Sequence, residues 1–335
     1  IGYEYKTNPS LDWQAERALR EDKLKGVLDT IKGIDSSYIY QVLNYIEKYR
    51  LTENLSSTSY INFFFKELAT RMPSLSFELL KSKFNELYQF KSIIIAYLFE
   101  TSIKQELIEF LKTKYQNIDV SLAILESLDL TTGNHKNIEL VKLIYEYHKT
   151  TENIKFHNIV IRLIVNMYEN GQELKDIFIN SIKKLNELGN TNWISTIFGD
   201  LNKLEPDLSK EDYNAISQSL ILTPKIDYDE EALLKSILKT YPELISQIFT
   251  SRIQYSITKN SSEKYEEIPF QFYNVAEEWF QPEAIHLVVN LAVEWLKIGK
   301  ENDSNWLYEV SGKDLLSKIY INWDLNLDIL LIKNI

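Results

Sequence analysis

Between Phe63 and Phe84 the chain reads FFFKELATRMPSLSFELLKSKF, two apolar-periodic segments joined at a proline. That joint constrains the fold more than any other feature. Proline disfavours helix at the residue before it and suits the first turn of a new helix, where its missing N–H costs nothing. The stretch therefore reads as a helix, a tight corner and a second helix.

Nearly the same design returns at Ala232–Ile253, ALLKSILKTYPELISQIFTSRI, and the two align without a gap. Lys66, Pro73, Leu75 and Ser82 fall on Lys235, Pro242, Leu244 and Ser251. Apolar falls on apolar at Phe64/Leu233, Phe65/Leu234, Leu68/Ile237, Leu79/Ile248, Leu80/Phe249 and Phe84/Ile253. An abbreviated copy, FQPEAIHLVVNLAV, follows at Pro282. A two-helix corner cannot bury both apolar stripes alone, whereas stacked copies bury a continuous core. The step from Pro242 to Pro282 matches the period of about 40 that marks HEAT or armadillo arrays. The expected fold is all-α, an α-solenoid of degenerate HEAT/armadillo-like helical pairs. It is expected as a single elongated domain over 1–335, with a sub-boundary near 200–225.

Composition agrees with helices joined by short corners. Only 9 Gly and 7 Pro serve 335 residues, few for a glycine-spending Rossmann, P-loop or β-rich domain. The hydrophobic fraction of 44% is ample for a core. Without cysteine there is no disulfide, thiolate nucleophile or thiolate metal site, which fits a reducing, cytoplasmic setting. No apolar run is long enough to make a membrane-spanning helix, so no membrane association is expected. The chain opens at Ile1 in linker-like sequence and reads as a piece of a longer protein.

The formal charge is −11, and residues from Asp200 onward carry 13 basic against 23 acidic side chains, a net of −10. Nucleic-acid binding needs a basic surface that neither half supplies, so nucleic acid is disfavoured as a partner. The acidic half suits a basic or polar protein, although acidity also serves solubility alone.

Helices are expected at about 11–32, 37–50, 90–100, 102–115, 120–128, 138–148, 154–168, 173–188 and 193–204, besides the proline-cornered pairs. Ser209-Lys210-Glu211-Asp212 looks like a capping box opening a helix to Leu222. Asp227, Asp229, Glu230 and Glu231 crowd the next helix start. They lack the central glycine and distal glutamate of a Ca²⁺ loop, and the helix dipole alone favours carboxylates there. Arg17, Arg20 and Lys23 share a stripe that would grip phosphate or, with Glu16, Glu21 and Asp22 interleaved, simply face solvent.

Catalytic signatures are missing. Neither phosphate-cradling glycine motif nor His-Glu-x-x-His occurs, and His135, His148 and His157 are spaced for no single-helix ligand set. His286 lies on an apolar helix and reads as partly buried. No catalytic, metal or cofactor-binding residue is assigned, and no cofactor is expected. The compositional oddity is aromatic: Trp279, Trp295, Trp306 and Trp323 all crowd the C-terminal end of the chain. Tryptophan and tyrosine suit both the core that closes a helical array and interface hot spots. Trp295 continues the Leu291/Ala292 face and reads as core. Tyr265, Phe270, Trp306 and Tyr308 are the candidate partner-binding residues.

The lead-in Asn8-Pro9-Ser10, the charged helix Asp12–Lys32, the corners at Pro73 and Pro242, and Ser251-Arg252-Ile253 followed by Tyr265-Glu266-Glu267-Ile268-Pro269-Phe270 together form a pattern. In that order they resemble the helical-repeat tails of large bacterial STAND-type, NLR-like NTPases of antiviral defence. The resemblance implies a sensor region that binds an invader's protein and releases an attached ATPase and effector. No recognition residue of such tails is matched in this sequence. The resulting expectation is a non-enzymatic scaffold that binds a protein partner, with the sensor role that the resemblance implies. The alternatives are a helical-repeat nucleic-acid binder and an all-α enzyme without a recognised motif.

Overall fold

Spacing of apolar side chains at helical period carries through to the structure, a computed structural model describing residues 13–33, 36–49, 55–130, 137–168, 172–197, 204–259, 265–269, 282–301 and 305–321. All regular elements among the described residues are helical. They group into two compact units, Ile1–Lys149 and Thr150–Ile335, so residues 200–225 lie inside the second.

In the first unit the helices are α1 (Trp13–Leu28), α2 (Ser37–Tyr49), α3 (Leu55–Arg71), α4 (Pro73–Ser82), α5 (Lys91–Leu98), α6 (Lys104–Lys112), α7 (Ile118–Leu130) and α8 (Ile138–His148). α1, α3, α5 and α7 pack in a row, each on the next, and α4 closes against α3 and α5. Packing on the helix two places ahead is the arrangement of a helical-repeat stack. An aromatic line runs from α2 across α3 to the turn before α5, with ring centroids 5.6 Å apart for Tyr38–Phe64, 5.2 Å for Phe64–Phe65 and 5.9 Å for Phe65–Phe90. α6 is shorter than expected because after Lys112 the chain tightens into i→i−3 turns, with the Thr113 amide on the Phe110 carbonyl at 3.0 Å and the Lys114 amide on the Leu111 carbonyl at 2.9 Å, before Asn117 opens a new helix. Its side chain accepts from the Asp119 amide at 2.9 Å and the Val120 amide at 3.3 Å, an Asx cap that opens α7.

The second unit holds α9 (Ile154–Met167), α10 (Gln172–Glu187), α11 (Trp193–Thr196), α12 (Lys210–Leu222), α13 (Tyr228–Thr240), α14 (Leu244–Lys259), α15 (Pro282–Glu301) and α16 (Trp306–Ile321). Two rows run through it: α10, α12, α14 and α16 in one, α9, α11 and α13 in the other. α10 stops in a Schellman turn at Gly189, whose φ of +67° favours glycine, with the Asn190 amide donating to the Leu185 carbonyl at 2.9 Å. Ser209 and Asp212 form the capping box at α12, and the Asp227 amide donates to the Glu230 carboxylate at 3.2 Å at α13. The acidic cluster thus starts a helix. Buried polar groups link the rows: the Trp193 indole donates to Ser219 at 3.1 Å, and Ser219 to Asn186 at 2.6 Å. Lys175, 7% exposed, pairs with Asp212 at 3.0 Å and joins α10 to the start of α12.

The two proline corners coincide with structure. Pro73 sits in the first turn of α4, and Pro242 lies in the turn between α13 and α14. All six aligned apolar pairs are buried, from Phe65 and Leu234, each 0% exposed, to Phe84 at 8%. In the third copy Ile285, Val288 and Val289 are buried as their counterparts Ile245, Ile248 and Phe249 are.

Candidate functional site

Helical geometry separates two of the expected partner-binding residues. Positions two apart on an α-helix point about 200° apart. On α16, Trp306 is 60% exposed, whereas Tyr308 is 8% exposed and belongs to the core side with Ser311, Gly312 and Leu315. The outward stripe is Trp306, Val310, Lys313 and Ser317, one residue per turn, with Val310 50% exposed. Lys313 pairs with Glu309. A large apolar side chain and a smaller one, rimmed by a charge pair, suit capture of a protein side chain.

α16 is held in that orientation by close backbone approach. A Cβ added at Gly299 of α15 would lie 2.6 Å from the Glu309 Cβ, and one at Gly312 would lie 2.9 Å from the Ala292 carbonyl oxygen. Glycine at these two places lets α15 and α16 touch along their backbones, which fixes which face of α16 looks outward. Trp295 is 1% exposed and donates to Thr250 at 3.2 Å, so it is core.

Tyr265 occupies a different setting, on the strap Tyr265–Pro269. Its hydroxyl donates to the Ile221 carbonyl at 2.5 Å, and its ring lies 4.6 Å from the Arg252 guanidinium and 5.3 Å from the Tyr255 ring. Burial is the main reason that its phenol is pushed up to about 12. This proton is worth stability below pH 10, where phenol is neutral in folded and unfolded chains alike. The contribution fades from pH 10 to about 12 as the unfolded chain ionises first. Tyr265→Phe should therefore flatten the loss of stability in that window, read as urea midpoints at pH 8 and pH 11. Phe270 lies outside the described residues.

The residue that organises this setting is Arg252, 0% exposed and not singled out as a site in the sequence. Its guanidinium donates to the carbonyls of Leu220, Thr223 (2.8 Å) and Pro224 (3.4 Å) at the end of α12, and of Glu266 and Glu267 (3.2 Å) in the strap. A buried charge is tolerable when its donors are spent in this way. Burial lowers the Arg252 pKa, with Tyr265, Glu267, Glu266 and Glu230 opposing. Arginine nonetheless stays protonated in proteins. Arg252 and the Tyr-Glu-Glu-Ile run, which stand apart in the sequence pattern, are thus brought together.

Other chemistry-bearing groups serve structure. His148 donates from Nε2 to the Tyr115 carbonyl at 2.8 Å, and His157 from Nε2 to the Thr151 carbonyl at 2.9 Å. His157 is 0% exposed, and burial holds its pKa below the ordinary value. His286 is exposed, because it falls one position off the buried Ile285–Val288–Val289 side of α15. His135 lies outside the described residues. Arg20 packs its guanidinium 5.2 Å over the Tyr60 ring, and Arg17's side chain lies outside the described residues.

A groove of about 440 Å³ in the first unit is lined by Tyr40, Leu43, Lys83 and Glu86 among others, with Lys83 and Glu86 paired at 3.0 Å. Among the described residues no group of three or more His, Asp or Glu could hold a metal ion, and no helix is long and apolar enough to cross a membrane. The chain matches no protein-family profile, no curated protein and no solved structure.

Proposed function

We propose that this chain is a non-enzymatic helical-repeat scaffold that binds a protein partner, with the outward stripe of α16 as a contact surface. The observation that carries the reading is Trp306, 60% exposed and one turn from the 50% exposed Val310 on a helix whose other side is locked by glycine contacts. Two exposed large apolar groups one turn apart on a rigid helix face form a patch of the kind an interface uses. The use of His148, His157 and the Lys175–Asp212 pair for internal bonding also favours a scaffold over an enzyme. The pattern shared with STAND-type tails supports placing the scaffold as the target-sensing region of a bacterial defence protein.

The test selects helical peptides from a displayed library on the purified chain, then repeats binding with Trp306→Ala. A loss of tenfold or more is expected, about 1.4 kcal/mol or above, with the melting temperature unchanged. Tyr308→Ala should instead lower the melting temperature. Selected peptides that bind Trp306→Ala as well as the parent chain remove this stripe from the reading. Steeply salt-dependent binding of duplex DNA by the parent chain would favour the nucleic-acid alternative.

A further inference from the structure

The strap Tyr265–Pro269 is gripped in the manner of a bound peptide. Its backbone supplies three of the contacts: the carbonyls of Glu266 and Glu267 accept from Arg252, and the Glu266 amide donates to the Pro224 carbonyl at 2.9 Å. Any extended peptide offers the same groups. Side chains add selectivity. Tyr265 is seated by Ile221, Arg252 and Tyr255, and Ile268 is 6% exposed. Glu267 accepts from Ser256 at 2.5 Å, and Glu266 lies 3.9 Å from Lys225.

The other wall is the end of α12. The carbonyls of Leu220, Thr223 and Pro224 accept from the guanidinium on the α12 side, through bonds that do not involve the strap. A departing strap would strip two acceptors from a fully buried charge, which is costly unless others replace them. Exchange with a second peptide restores them, so the geometry favours exchange over simple release.

We propose that the slot between the end of α12 and the face of α14 is a peptide-binding groove, filled in cis by Tyr265–Pro269. An extended partner segment with tyrosine, two acidic residues and a branched apolar residue exchanges with the strap there. The slot binds through carbonyl capture by Arg252 and an aromatic seat, independently of the α16 stripe. Occupation in cis keeps affinity for a partner low, because the partner segment must displace the strap to bind.

The probe is the fluorescein-labelled peptide Tyr-Glu-Glu-Ile-Pro, followed by fluorescence anisotropy on two forms of the full chain. In one form the strap is intact, and in the other residues 265–269 are replaced by Gly-Ser-Gly-Ser-Gly. The replaced form should bind the peptide at least tenfold more tightly than the intact chain, and a probe with alanine for tyrosine should lose tenfold or more. A replaced form that keeps its helical circular dichroism and binds no probe overturns the proposal. If the replaced form does not fold, hydrogen exchange of the intact chain decides. Strap amides that exchange faster on addition of excess probe, while α12 and α14 stay protected, uphold the proposal, and strap amides that the probe leaves unchanged overturn it.

Discussion

Replacing Arg252 with alanine should destabilise the second unit by about 3–5 kcal/mol, among the larger losses a single change can cause. The substitution takes the guanidinium away from five carbonyls at once and leaves a void the length of an arginine side chain. Each hydrogen bond to a charged donor is worth about 1.5–3 kcal/mol, and the five are not additive because they share one group. Arg252→Lys should recover little, since an ammonium has three donors and lacks the planar fork that reaches both walls. Urea unfolding followed by circular dichroism measures the effect. A midpoint for Arg252→Ala close to that of the parent chain would show that the guanidinium holds nothing together.

The second large effect tests the repeat. Phe65 and Leu234 occupy equivalent positions in the two proline-cornered units, and both are 0% exposed. Phe65→Ala should cost about 3–5 kcal/mol and Leu234→Ala about 2–5 kcal/mol, from lost transfer energy plus the cavity left behind. A nearby outward position offers the control: Lys66 is exposed with its ammonium 5.2 Å over the Tyr97 ring, and Lys66→Ala should change stability by no more than about 1 kcal/mol. Thermal unfolding of the three variants checks the set. If alanine at Phe65 were as harmless as at Lys66, the aligned stripes would not be core.

Much of the fold was legible because helical period and proline corners act locally. The corner at Pro73 needs only the sterics of the Met72–Pro73 bond, and the capping box at Ser209 needs only residues within one turn. Where reading by composition stopped short, the cause was also local and recoverable. Tyr308 is two positions from Trp306 and so faces the core, a fact that helical phase alone predicts once the face of Trp306 is known. α6 stops short because the chain tightens into i→i−3 turns after Lys112, and the Asx cap at Asn117 moves the start of α7 ahead of Val120.

The amino-acid order by itself determined an all-helical chain, the two proline-cornered units with their buried stripes, and the capped starts of α12 and α13. Those features depend on interactions within one or two turns, where spacing in the chain is spacing in space. Only the tertiary structure decided that Arg252 is a buried clamp, that it grips a strap 14 and 15 residues further on, and that its other carbonyls come from 28 to 32 residues before it. It also decided that Gly299 and Gly312 are contact surfaces between two helices and that Trp306 is left outside. A buried charge finds its acceptors, and a glycine its neighbour, through packing between distant segments. No periodicity along the chain encodes that.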